Sequence, residues 1–95
     1  MSDDPTIRGI REEISNLDHD IVEAVNARIE LVARLKLYKE ENGFPFLDPD
    51  RERQLLADLA EANRGPLTGE GLAELVTAIL ELTKREVGRG SDSEA

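Results

Sequence analysis

An all-α architecture follows from the sequence: three helices, the first very long, forming an intertwined homodimeric helical bundle. Apolar residues recur at Ile7, Ile10, Ile14, Leu17, Ile21, Ala24, Leu31, Leu35 and Tyr38, about every 3.5 residues on average, which is a helical seam. No proline breaks that pattern between Pro5 and Pro45. A helix of this length reaches roughly 55 Å, beyond the diameter of a compact domain built from 95 residues. So short a chain buries only a modest core by itself, so a second copy is expected to cover the remainder.

The first helix is expected from about Pro5 to about Asn42. Asp3 and Asp4 ahead of Pro5 and Thr6 make a suitable entry, and Gly43 ends it. A second apolar stripe, Val22, Val25, Ile29 and Val32, widens its surface beyond a two-stranded seam, so this half is expected to be enclosed from several sides. Asn42-Gly43 has the form of a hairpin turn, but its flanks carry helical rather than alternating periodicity, which favours a helix C-cap. The connector Phe44-Pro45-Phe46-Leu47 should fold back on the bundle.

Asp48 can cap a second helix with Pro49 in its first position, running to about Ala62. Leu55, Leu56 and Leu59 form its apolar stripe, and Glu52 falls on that same stripe. Asn63-Arg64-Gly65-Pro66 is a break, and Thr68 can cap a third helix bearing Leu72, Leu75, Val76, Ile79, Leu80 and Leu82, with Thr83 on the inner face. Residues 1–5 are read as a short lead, 6–87 as one helical domain, and 88–95 as a disordered acidic tail without apolar content.

Twelve Lys and Arg against 21 Asp and Glu give a formal charge of −9, which disfavours nucleic acid and anionic membrane as partners, so any anion site must be local. With no cysteine and the single His19 on the outward side of the heptad, disulfides, thiol chemistry and a conventional zinc site are not expected. The acidic N-terminus has no apolar run behind it, so neither a secretory signal nor a membrane span is expected, and the location is read as cytoplasmic.

Cations stand where the pattern calls for aliphatics. The core slot after Ala24 belongs to Arg28, and a guanidinium there is costly to bury unless an anion meets it. Lys39, eleven residues later, returns to nearly the same face about 16 Å along the axis. Arg51 and Glu52 follow at the start of the second helix. One explanation is an internal network in which Glu52 neutralises Arg28 or Lys39. Together, however, these residues hold more cations than nearby inward anions, which a small ligand bearing carboxylates would balance. Arg11 lies about 100° around the helix from Arg28, so one pocket shared by both within a chain is difficult; in an antiparallel or crossed dimer it could reach the other chain's pocket. By itself Arg11 reads as a surface residue.

The segments Ile10-Arg11-Glu12-Glu13-Ile14 with Leu17-Asp18, Arg28-Ile29-Glu30-Leu31, Tyr38-Lys39, Gly43-Phe44-Pro45 and Asp48-Pro49-Asp50-Arg51-Glu52 occur in order. With this set, over about residues 6 to 87, the chain resembles the all-helical chorismate mutase family (AroQ type). The resemblance implies conversion of chorismate to prephenate on the route to phenylalanine and tyrosine, in a homodimer with shared active sites and with no cofactor. It implies that Arg28 and Lys39 grip the substrate while Arg11 arrives from the partner chain. Glu52 and the Asp48 backbone would hold the ring hydroxyl, and Arg51 and Thr83 would complete the polar lining. Thr83 replaces a more usual serine and keeps the hydroxyl. Val87 is the clear departure, because the family often places a glutamine or glutamate there to contact the substrate's ether oxygen. Lys39 would then stabilise that oxygen largely alone, or Glu86 would come near, or activity would be reduced; Glu86 is expected to face solvent. Isochorismate–pyruvate lyase and a noncatalytic dimerisation or regulatory module remain alternatives, the second sustained by Val87.

Overall fold

The computed structural model describes residues 4–93 and consists, among those residues, of three helices: α1 (Pro5–Glu41), α2 (Pro49–Ala62) and α3 (Gly69–Ser93). The start of α1 is fixed by Asp4, whose carboxylate accepts from the backbone N–H groups of Thr6 at 2.8 Å and Ile7 at 3.1 Å. Its end is a glycine cap. Gly43 takes φ +75°, a left-handed conformation that lacks the Cβ penalty only for glycine, and the Phe44 N–H turns back to the Lys39 carbonyl at 2.8 Å. The helical periodicity around Asn42-Gly43 therefore prevails over the hairpin reading.

That reversal sends the connector back along α1. Phe46 is its half-buried residue, with the Lys36 ammonium 5.8 Å from the ring centroid, whereas Phe44 and Leu47 stay exposed. Asp48 then caps α2, accepting the Arg51 N–H at 3.1 Å, and Pro49 occupies the first turn where a missing N–H does no harm. Thr68 opens α3 in the same way, its hydroxyl accepting from the Gly71 N–H at 3.0 Å.

α3 is the packing centre and lies against both α1 and α2. The buried residues among those described, Leu72, Val76, Thr83 and Val87, all belong to it. On α1, Val25, Ile29 and Val32 are half-buried, so the second stripe meets its own chain, although Val22 at its N-terminal end is 59% exposed. The apolar residues of the heptad seam are left largely uncovered: Ile10, Ile14, Leu17, Ile21, Leu31 and Leu35 are all exposed. The radius of gyration is 17.5 Å against about 12 Å for a compact domain of this length, and the long dimension is 57 Å.

The C-terminal tail needs correction. Disorder was expected from Gly88, yet α3 continues as helix to Ser93, with Glu94 and Ala95 outside the described residues. Lack of apolar side chains removes tertiary packing, but an existing helix still gains one backbone hydrogen bond per residue added, and Glu86 and Arg89 pair at 3.1 Å along this end. Of the lead over residues 1–5, Met1 to Asp3 are likewise outside the described residues. Among the described residues no helix is long and apolar enough to cross a membrane.

Candidate active site

Three chain segments bring charge to one pocket beside α3. From α1 come Arg28 and Lys39, eleven residues apart and both half-buried; from the start of α2 come Asp48, Arg51 and Glu52; from α3 come Thr83 and Lys84. Val32, Leu35, Phe46 and Leu80 supply apolar wall between them. The helical repeat explains the first pair, and the Asp48 cap explains the second group, because it fixes the first turn of α2 with Arg51 and Glu52 beside the cap.

Each cation is held differently. Arg28 donates from Nη1 to the Thr83 hydroxyl at 2.5 Å, and that hydroxyl donates in turn to the Ile79 carbonyl at 2.7 Å. Thr83 is buried, so the guanidinium is tethered by a fixed neutral group rather than by a carboxylate. Lys39 donates from Nζ to the Phe46 carbonyl at 3.3 Å, a contact made available by the reversal at Gly43. Neither Arg28, Lys39 nor Arg51 forms an ion pair with a carboxylate among the described residues.

Glu52 therefore does not neutralise Arg28 or Lys39, as the internal-network explanation required. Its carboxylate pairs with Lys84, whose Nζ lies 2.8 Å from Oε2. Sequence reasoning missed Lys84. It sits one residue beyond Thr83 and reads as ordinary helix surface, because its contact with Glu52, 32 residues away, depends on how α2 and α3 pack.

Six of the eight sequence-predicted site residues, Arg28, Lys39, Asp48, Arg51, Glu52 and Thr83, thus line one pocket, while Arg11 and Val87 do not. Arg11 is exposed, about 25 Å along α1 from Arg28. Val87 is buried in the α1–α3 contact region beside Ile29 and Ala33, one turn beyond Thr83. Glu86 is half-buried and pairs with Arg89. The pocket offered by one chain is about 110 Å³, well below the roughly 300–1,000 Å³ usual for small-molecule sites.

Comparison with known proteins gives a consistent family. The profile of the family described as chorismate mutase type II matches residues 10–87. A T-protein from Haemophilus influenzae is 30% identical over 87 residues, covering 90% of this chain and 22% of its own length. A bifunctional chorismate mutase/prephenate dehydratase from Aquifex aeolicus is 28% identical, covering 83% of this chain and 24% of its own. The chain thus spans between a fifth and a quarter of these curated relatives. Among solved structures, chorismate mutase (form II) from Thermus thermophilus superposes with a TM-score of 0.82 at 28% identity, over 88% of this chain and 96% of that one. Form I of the same protein gives 0.79 at 29% identity, over 82% and 98%.

Proposed function

Because this chain belongs to the chorismate mutase type II family, we propose that it is a chorismate mutase, converting chorismate to prephenate in phenylalanine and tyrosine biosynthesis. The observation that carries the reading is a pair of half-buried cations, Arg28 and Lys39, on one face of α1 and without carboxylate partners among the described residues. A ligand with two carboxylates supplies the missing charge.

The reaction is an intramolecular Claisen rearrangement. One carbon–oxygen bond breaks as one carbon–carbon bond forms in the same molecule, so atoms and electrons balance with no nucleophile, proton or co-reactant. Catalysis is then positional and electrostatic. Arg28, held by Thr83, grips one carboxylate, and Arg11 of the partner subunit grips the other, so that the enolpyruvyl group folds over the ring. Lys39 meets the negative charge that develops on the ether oxygen, a preorganised interaction of about 3 kcal/mol or more in the transition state. Glu52 and the Asp48 backbone receive the ring hydroxyl, and Arg51 adds positive potential at the rim. With Val87 turned into the helix contact, Lys39 carries the ether oxygen without a second donor from that position.

The working unit of this proposal is a homodimer with shared sites. The uncovered seam of α1, the small pocket of one chain and the remoteness of Arg11 all support it. So does surface: one chain exposes 7794 Å², against about 5,400 Å² expected of a compact monomer of this mass. The excess is of the size that an obligate interface removes. The proposed location is the cytoplasm.

The test follows chorismate loss and prephenate formation by wild type, Arg28→Ala and Lys39→Ala. Prephenate is expected from wild type, with kcat/KM reduced about a hundredfold or more by either substitution. A wild-type dimer that forms no prephenate, or a variant as fast as wild type, contradicts the proposal. Release of pyruvate from isochorismate instead would assign the pocket to the lyase reaction.

A further inference from the structure

Thr83 and Lys84 are neighbours on α3, and each fixes a charged side chain brought by a different helix: Thr83 holds Arg28 of α1, and Lys84 holds Glu52 of α2. The second contact is closely made. The Lys84 ammonium lies 2.8 Å from one carboxylate oxygen of Glu52 and 2.9 Å from the other, so it engages both. Building on the mutase reading, we propose that Lys84 is a positioning residue for the reaction: it pins the Glu52 carboxylate as acceptor for the substrate's ring hydroxyl and cancels its charge toward the incoming dicarboxylate.

Charge balance supports this role. Within one chain Arg28, Lys39, Arg51 and Lys84 line the pocket against Asp48 and Glu52, an excess of two positive charges that favours a substrate with two carboxylates, and Arg11 of the partner subunit would add a third. Without Lys84 the Glu52 carboxylate would stand unneutralised in the same small pocket, repelling what Arg28 and Lys39 attract. Geometry supports it as well. Glu52 has single bonds to rotate about, and α2 fixes only its backbone; a cation shared by both oxygens sets the direction in which the carboxylate points before substrate arrives.

A role confined to holding the fold fits less well. The Lys84 side chain is 40% exposed and that of Glu52 28%, and partly exposed pairs of this kind contribute little to stability. Leu55 and Leu56, half-buried, already seat α2 in the bundle.

The experiment is a double-mutant cycle on the full chain, with Lys84→Met, Lys84→Arg, Glu52→Gln and Lys84→Met/Glu52→Gln assayed for prephenate formation. Lys84→Met keeps the apolar stem and is expected to lower kcat/KM about tenfold, chiefly through KM, because the exposed Glu52 charge opposes substrate and transition state alike. Lys84→Arg restores most of the loss. In the Glu52→Gln background the same Lys84→Met change is expected to move kcat/KM less than about twofold, since there is no carboxylate left to pin or neutralise. An equal loss in both backgrounds, no rescue by arginine, or wild-type parameters for Lys84→Met overturns the positioning role while leaving the mutase reading intact. A wild type without prephenate formation overturns both.

Discussion

Replacing Thr83 by valine separates the site's electrostatic design from its packing. Thr83 is 3% exposed, and its hydroxyl is the hydrogen-bond partner of Arg28, at 2.5 Å. Valine has nearly the same shape, so the wall around it is kept. Ile79, which loses the hydroxyl's 2.7 Å contact, retains the backbone bond from residue 83 that α3 provides, leaving no orphaned carbonyl. Apart from the Arg28 contact itself, unfolding free energy should therefore change by no more than about 1 kcal/mol. Arg28 fares differently. A hydrogen bond to a charged group contributes about 1.5–3 kcal/mol, and losing the tether frees the guanidinium to move before substrate binds. Carried to the transition state, that range corresponds to a fall in kcat/KM of about tenfold to a hundredfold. Steady-state chorismate consumption, with denaturant unfolding of the same samples, separates the two effects, and Thr83→Ser should stay within about threefold of wild type because it keeps the hydroxyl. Wild-type kinetics for Thr83→Val, or equal impairment of Thr83→Ser, would show that Arg28 is not positioned through this contact.

Leu17→Glu places a charge on a residue that is 62% exposed in the single chain. If the chain worked alone the change would be nearly silent, within about 0.5 kcal/mol, whereas burial of this seam against a second copy predicts dissociation, read by sedimentation equilibrium. Gly43→Ala forces a Cβ into the conformation at φ +75° and should lower unfolding free energy by about 1–2 kcal/mol in denaturant titration. The same substitution shifts the carbonyl that receives Lys39, so a loss of kcat is expected with it.

Much of this was readable in the chain because it rests on local rules. Asp4, Asp48 and Thr68 cap the helices that follow them, and Gly43 ends α1, since capping depends on residues three or four apart. Arg28 and Lys39 were visible as cations on an otherwise apolar face for the same reason. What escaped depends on how separate helices meet. Lys84 carries no periodic signature, and its partner lies on another helix. Val87 stands one turn from Thr83, yet it lies about 40° further around α3 and is buried in the helix contact rather than the pocket. The tail beyond Gly88 illustrates a different limit, because composition speaks to whether a segment packs, not to whether a helix already formed will continue.

Subunit mixing probes the shared, charge-lined site at its root. Arg11→Ala and Arg28→Ala proteins, each expected to be nearly inactive alone, are combined under conditions where chain exchange is followed independently. Hybrid dimers should contain one pocket with both arginines intact and one with neither, so prephenate formation should reappear as exchange proceeds, approaching a quarter of the wild-type rate at about equal mixing, because half the dimers are hybrids and each has one complete site. Complete exchange with no recovered activity would contradict a pocket built from two chains.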